Sequence, residues 1–109
     1  MNVLTYATKN VVVEVDFDHA GQGVFARRLE DGRWDVCQVQ YQDASATLAQ
    51  GMWYIDAPEL FHPLSGEKLV AVRNSSSFRA FIEAGTPIEA LTSFKDSIPA
   101  SKRYAGARH

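Results

Sequence analysis

Three carboxylates and a histidine stand close together near the N-terminus, at Glu14, Asp16, Asp18 and His19. Carboxylates at every second position of a strand lie on one face, about 7 Å apart. One cation can bridge two such carboxylates, with the histidine as a third ligand. The residues lack the loop-type spacing of oxygen ligands that calcium sites use. We therefore favour the simpler interpretation, the solvated side of a strand, and expect neither a metal nor a cofactor.

The same carboxylates suggest a role in protein recognition. A line of negative charges along a strand can imitate the phosphates of a nucleic acid towards a basic, nucleic-acid-binding partner. Small acidic inhibitors from phages and plasmids use this principle. Glu14, Asp16 and Asp18 are therefore candidate protein-binding residues.

Cys37 is the one cysteine of the chain, and His19 and His62 are the bases that could activate it. The hairpin predicted for residues 22–42 places Cys37 opposite Ala26 on a core face, where a cysteine behaves as a small apolar side chain. Residues 75–77 are serines without the Gly-x-Ser-x-Gly context of a hydrolase nucleophile. The chain also lacks glycine-rich phosphate-binding and dinucleotide-binding motifs. We expect a protein that is not an enzyme.

The C-terminal segment 99–109 is the one element that suits a nucleic acid. It carries three basic side chains and no acidic one, whereas residues 1–98 carry eight basic and thirteen acidic side chains, a net charge of −5. Three charges support only weak, salt-sensitive contacts with phosphates. We favour a flexible, solubilising terminus and keep nucleic-acid binding as the alternative, with Lys102, Arg103, Tyr104 and Arg108 as its residues.

Asp31-Gly32 predicts the turn of a β-hairpin, because a type I′ turn needs positive φ at both central residues. A two-residue loop pairs Leu29 with Trp34, Arg28 with Asp35 and Ala26 with Cys37. One face of the hairpin is then apolar, with Val24, Ala26, Cys37, Val39 and Tyr41. The other face mixes aromatic, aliphatic, arginine and glutamine side chains and is either a partly covered face or an interface. Its candidate binding residues are Phe25, Arg27, Leu29, Trp34 and Val36.

The remaining pattern is mainly β up to residue 74. Residues 10–18 alternate as a half-buried strand, and short strands are expected at 3–7, 52–55 and 68–73. Residues 75–84 are predicted as a helix with serine N-caps and Gly85 after its end, and Thr86-Pro87 with Glu89 opens a second helix with the stripe Ile88, Leu91 and Phe94. The predicted fold class is α+β: an antiparallel sheet of four to five strands with two short C-terminal helices packed on one face.

Length and composition favour one α+β domain over residues 1–98, followed by the basic tail at 99–109. No apolar run approaches the ~18–20 residues of a membrane span, and no signal peptide is visible. The single cysteine excludes an internal disulfide, so the cytoplasm is the expected compartment.

These features lead to one functional hypothesis and two alternatives. We expect a small, non-enzymatic protein-binding or inhibitor protein, a monomer or a homodimer, from a bacterium or one of its phages or mobile elements. An anti-restriction or anti-CRISPR inhibitor is the most specific form of that hypothesis. A nucleic-acid-associated protein that uses its basic tail is the first alternative, and a metal-dependent enzyme is the second.

Overall fold

In the part of the chain that the structure describes, eight antiparallel strands form one sheet, and a single α-helix packs against it. The computed structural model describes residues 2–97. The strands are β1 (Val3–Ala7), β2 (Val11–Asp16), β3 (Gln22–Arg28), β4 (Arg33–Asp43), β5 (Met52–Tyr54), β6 (Leu60–Phe61), β7 (Lys68–Asn74) and β8 (Arg79–Glu83), followed by helix α1 (Pro87–Ser97). The predicted antiparallel sheet is confirmed, but the fold is mostly β: the sheet is larger than the predicted four to five strands, and the described residues contain one α-helix instead of two.

The long strand β4 holds the sheet together. Along one edge it pairs with β3, and β3 continues through β2 to β1. Along its other edge β4 pairs first with β8 and then with β7, while β5 and β6 both pair with β7. In the described sheet β4 therefore pairs with three strands, β3, β7 and β8.

The β3–β4 hairpin has a register one residue away from the predicted one. Its loop has three residues, Glu30 to Gly32, because the Gly32 N–H donates to the Leu29 carbonyl at 3.0 Å and the Leu29 N–H donates to the Arg33 carbonyl at 2.7 Å. Gly32 has a φ of 90°, as expected for the last residue of such a loop. Arg28 consequently lies opposite Trp34. A shift of one residue exchanges the faces of one strand relative to the other, so the predicted grouping of side chains is wrong.

The predicted helix at 75–84 is also wrong, because residues 79–83 form strand β8. Cys37 of β4 pairs with Arg79, and Gln40 pairs with Val72. From Cys37 to Gln40 strand β4 advances by three residues, whereas its paired strands advance by seven, from Val72 to Arg79. The four extra residues leave the sheet between β7 and β8. Asn74 closes this excursion, since its Oδ1 accepts hydrogen bonds from the Ser76 N–H at 2.9 Å and hydroxyl at 2.6 Å.

Helix α1 begins where the sequence predicts it. The Thr86 hydroxyl accepts a hydrogen bond from the Glu89 N–H at 3.2 Å, the N-cap bond of the predicted capping box, and donates one to the Glu89 carboxylate at 3.1 Å. Leu91 and Phe94 pack on the sheet as predicted, but Ile88 is exposed. Ala90 takes its place in the core.

Both faces of the sheet carry a core. The helix face holds Val12, Val24, Ala26, Trp34 and Val36 beneath α1. The opposite face holds Val13, Val15, Phe25, Cys37, Val39, Tyr41, Leu60, Leu69 and Ala71. The segment 55–59 crosses part of this second face, where Ile55 and Ala57 pack on the core and the Pro58 carbonyl accepts a hydrogen bond from the Tyr41 hydroxyl at 2.7 Å.

Among residues 2–97, no helix has the length and apolar character needed to cross a membrane. The predicted tail at 99–109, with Lys102, Arg103, Tyr104 and Arg108, lies outside the described residues.

Candidate functional site: an arginine-lined cavity

The acidic residues of β2 and the turn after it are each bound within the chain. Glu14 forms an ion pair with Lys95 of α1, and Asp16 accepts a hydrogen bond from His19 at 2.6 Å. Asp18 lies in a 3-10 turn at Phe17–His19, beyond the end of β2, and accepts hydrogen bonds from the backbone and side chain of Asn2. The bond from the Asn2 backbone lowers the pKa of Asp18. In the part of the chain that the structure describes, no three metal-ligating side chains converge.

The five hairpin residues predicted as one binding surface are divided between the two faces. Trp34 and Val36 are fully buried beneath α1, and the Trp34 indole N–H donates to the Ala84 carbonyl at 3.1 Å. Phe25 lies in the core of the opposite face. Arg27 is exposed beside it, and Leu29 is half-buried at the hairpin loop. The grouping is wrong because of the shifted register, so only part of the predicted surface is accessible in the monomer.

A cavity of about 270 Å³ opens on the opposite face, at the border of the region that segment 55–59 covers. Its floor comes from β3, β4, β7 and β8, and one wall comes from residues 53–56. Three arginines and two aspartates surround an apolar base; the lining residues are Phe25, Arg27, Asp35, Cys37, Trp53, Tyr54, Ile55, Asp56, Arg73 and Arg79. We refer to it as the arginine cavity.

Asp35 and Arg79 form a bidentate ion pair on the cavity floor. The Arg79 Nε and Nη2 atoms donate to the two Asp35 oxygens at 2.8 and 2.6 Å. The hydrogen bonds from Arg79 hold the pKa of Asp35 below its usual range, and the positive charges of Arg27 and Arg73 act in the same direction. All three guanidinium groups thus lie near one carboxylate, and only Arg79 is bound to it directly.

Arg27 and Arg73 have no acidic partner of this kind in the described residues. The Arg27 Nη2 donates to the Asp56 backbone carbonyl at 3.0 Å, and its guanidinium lies 5.5 Å from the centre of the Phe25 ring. The Arg73 Nη2 donates to the Ser77 carbonyl at 3.1 Å. The Arg73 Nε is buried and has no hydrogen-bond partner within residues 2–97.

Cys37 lies at the base of the cavity but is a poor nucleophile. It is 5% exposed, and burial raises the pKa of its thiol to about 11. Only the thiolate attacks electrophiles, so the neutral thiol acts as part of the apolar floor. This placement agrees with the expectation that Cys37 is a core residue.

Exposed aromatic side chains extend the site across the surface. Trp53 is 45% exposed at the cavity wall, and Phe81 of β8 is 53% exposed. Arg33 and Arg79 both lie over the Phe81 ring, at 5.6 and 5.2 Å from its centre. We define the arginine–aromatic surface as Arg27, Arg33, Trp53, Arg73, Arg79 and Phe81.

Sequence reasoning missed most of this surface; it included Arg27, together with Phe25 of the cavity floor. Trp53, Arg73 and Arg79 are distant along the chain, and only the strand order β4–β7–β5 with β8 beside β4 brings them together. The available signal is the alternation of Arg79, Phe81 and Glu83 with the more apolar Ala80 and Ile82, which indicates a strand with a charged face.

Compared with known protein families, curated proteins and solved structures, the chain gives no match.

Proposed function

We propose that this chain is a non-enzymatic protein-binding protein, and that the arginine–aromatic surface is where its partner docks. The observation that supports the proposal most is the convergence of Arg27, Arg73 and Arg79 on one cavity beside the exposed Trp53. Arginine and tryptophan are enriched among residues that carry binding energy at protein interfaces. Here the arginines line an open cavity that a side chain of the partner can fill. The exposed aromatic rings of Trp53 and Phe81 lie beside that cavity.

The proposed surface replaces most of the hairpin surface expected from the sequence. It keeps Arg27, with Phe25 as part of the cavity floor. The acidic residues Glu14, Asp16 and Asp18 stay a secondary candidate, and their internal partners make them less suited to recognise a basic protein. A basic protein that bound these carboxylates would leave one of their internal partners unpaired, and this cost would offset part of the attraction between the two proteins.

The charge distribution favours a protein over a nucleic acid at this surface. Residues 1–98 carry a net charge of −5, so the four arginines of this surface belong to an acidic body. A nucleic acid is a polyanion whose contacts normally spread over a basic face. Binding of DNA or RNA through the tail stays an alternative, and removal of residues 99–109 with measurement at two salt concentrations tests it.

The non-enzymatic part of the proposal is supported by the state of Cys37, whose raised pKa keeps it protonated. A cytoplasmic location is proposed from the single cysteine alone. An inhibitor of the anti-restriction or anti-CRISPR type stays a prediction, as does a homodimer, and a metal-dependent enzyme stays the second alternative.

Site-specific photo-crosslinking in the native cells tests the proposal. A photoreactive amino acid replaces Phe81 on the arginine–aromatic surface or, as a control, Ile88 on α1, which is 54% exposed and closely matches the 53% exposure of Phe81. We expect a discrete protein adduct at Phe81 that disappears when Arg27→Glu is added. Equal adducts at both positions, or none at Phe81, would contradict the proposal.

A further inference from the structure

We infer that the arginine cavity binds one carboxylate of the partner, supplied by an acidic side chain that is followed by an aromatic or apolar residue. This inference rests on the proposed function and adds the chemistry that the docking surface recognises. The Asp35–Arg79 pair forms one side of the site, and Arg27 and Arg73 supply the donors.

The hydrogen-bond donors of the cavity exceed the acceptors that the described residues offer them. A guanidinium group has five N–H donors and no acceptor. Arg79 uses two on Asp35, whereas Arg27 and Arg73 each donate to a single backbone carbonyl. The Arg73 Nε is buried without a partner in residues 2–97, and a buried, unsatisfied donor is costly. A carboxylate in the cavity would accept hydrogen bonds from the guanidinium N–H groups with which Arg27 and Arg73 line it.

The charge of the lining selects a carboxylate over a phosphate. The charged side chains that line the cavity are Arg27, Arg73 and Arg79 against Asp35 and Asp56, which leaves a surplus of one positive charge. A carboxylate balances that surplus, whereas a phosphate monoester, with a charge near −2 at neutral pH, exceeds it. Charge complementarity of this kind determines which partner is accepted.

The size of the cavity and its apolar base are the reasons why we expect an aromatic or apolar residue next to the acidic residue of the partner. A volume of about 270 Å³ is larger than a carboxylate group requires, and Phe25, Cys37 and Trp53 supply apolar surface. Trp53 is 45% exposed, and an aromatic ring of the partner that packs on it would remove part of this surface from water. An Asp-Phe or Glu-Phe pair in a partner segment meets both requirements.

NMR titration with short peptides tests the inference on the intact chain. The probe is acetyl-Asp-Phe-amide, its neutral control is acetyl-Asn-Phe-amide, and inorganic phosphate is the third arm. The chain has two tryptophan indole N–H signals, Trp53 at the cavity and Trp34 in the core under α1. We expect the Asp peptide to shift the Trp53 signal in a saturable manner and to leave the Trp34 signal in place.

Two variants and a matched control identify the donors. Arg73→Gln and Arg27→Gln should each weaken binding of the Asp peptide about tenfold, since each removes charge-assisted hydrogen bonds. The control is Arg28→Gln, which removes an exposed arginine from β3, the strand that also carries Arg27. Arg28 lies opposite Trp34 on the helix face, so its removal should leave binding unchanged. Folding of each variant is checked by the position of the Trp34 signal.

Equal binding of the Asn peptide, tighter binding of phosphate, or the same loss in Arg28→Gln would overturn the inference. If the crosslinked adduct at Phe81 forms while the Asp peptide fails to bind, the carboxylate assignment is wrong and the docking surface stands. If the Asp peptide binds and the adduct is absent, the cavity binds carboxylates but the proposed function is wrong.

Discussion

Asp35 on β4 and Arg79 on β8 are joined diagonally across the sheet by two hydrogen bonds, at 2.8 and 2.6 Å. Arg79 lies opposite Cys37, two residues from Asp35 along β4, so the arginine reaches back along the strand to bind both carboxylate oxygens. Diagonal neighbours on one face of a sheet are within reach of long side chains. The pair fixes one guanidinium group of the arginine cavity and leaves Arg27 and Arg73 available to a ligand.

This pair predicts a specific pH dependence of stability. The pKa of Asp35 lies below its ordinary value of 3.8 in the folded chain, chiefly because of the hydrogen bonds from Arg79. A lowered pKa stabilises the fold above the unfolded value, and this stabilisation is lost as the pH falls through the folded value. Asp35→Asn should therefore lower the urea midpoint at neutral pH, and the difference from the wild type should shrink below about pH 4. A difference that persists unchanged in acid would contradict the role of the pair.

Trp34→Ala should destabilise the chain severely. Trp34 is 0% exposed beneath α1 and donates a hydrogen bond to the Ala84 carbonyl. Removal of a large buried aromatic side chain costs about 3–5 kcal/mol in the free energy of unfolding. Trp34→Phe keeps most of the ring volume and should cost less. Urea denaturation of both variants checks this; a Trp34→Ala variant as stable as the wild type would place the indole outside the core.

Gly21 and Gly66 form a matched pair for testing a close backbone approach. Both have positive φ, 76° and 74°, so alanine is strained at either position. At Gly21 an added Cβ would also overlap the carbonyl oxygen of Tyr41, whereas at Gly66 it meets no atom within 4 Å among the described residues. Gly66→Ala should cost about 1 kcal/mol and Gly21→Ala at least about 2 kcal/mol more, by thermal or urea unfolding. Equal costs would show that β4 does not pass this closely.

Cys37 should react slowly with thiol reagents in the folded chain. Burial raises its pKa from 9.0 to about 11, so its thiolate fraction falls about a hundredfold. We expect modification by an aromatic disulfide at pH 8 to be more than about a hundredfold slower in buffer than in urea. Cys37→Ser should show no reaction in either solution. Comparable rates in buffer and urea would mean that the cavity exposes the thiol.

The hairpin shows why local patterns left the sheet register open. Arg27 and Arg28 are adjacent, so Asp35 meets an arginine in either register, and cross-strand charge pairing does not choose between them. Both faces of β3 are also buried, which removes the usual alternation of apolar and polar side chains. An Asp-Gly sequence fits loops of two or three residues, and the three-residue loop is the one that forms.

The region after β7 shows a second limit. Serines favour helix N-caps and tight turns for the same reason, namely hydrogen bonds between their hydroxyls and nearby backbone groups. Ser76 takes part in a turn closed by Asn74, and the next residues return to β4 as a strand. Helix α1 could be predicted because Thr86, Pro87 and Glu89 act locally, within one turn.

The candidate site could be predicted only in part for a related reason. Arg27 and Phe25 are adjacent to a recognisable turn, whereas Trp53, Arg73 and Arg79 come from strands whose pairing partners are distant in sequence. The cavity depends on this non-local pairing. Residue types alone indicated an interface, and the predicted register grouped side chains that lie on opposite faces of the sheet.

Hydrogen–deuterium exchange of the chain with and without the partner recovered through Phe81 tests whether the partner docks on the arginine–aromatic surface. We expect slower exchange on binding in β8 (Arg79–Glu83) and in residues 53–56, which border the arginine cavity. Exchange in α1 and in residues 14–19 should stay the same. Protection of residues 14–19 or α1, with β8 unchanged, would contradict docking on the arginine–aromatic surface.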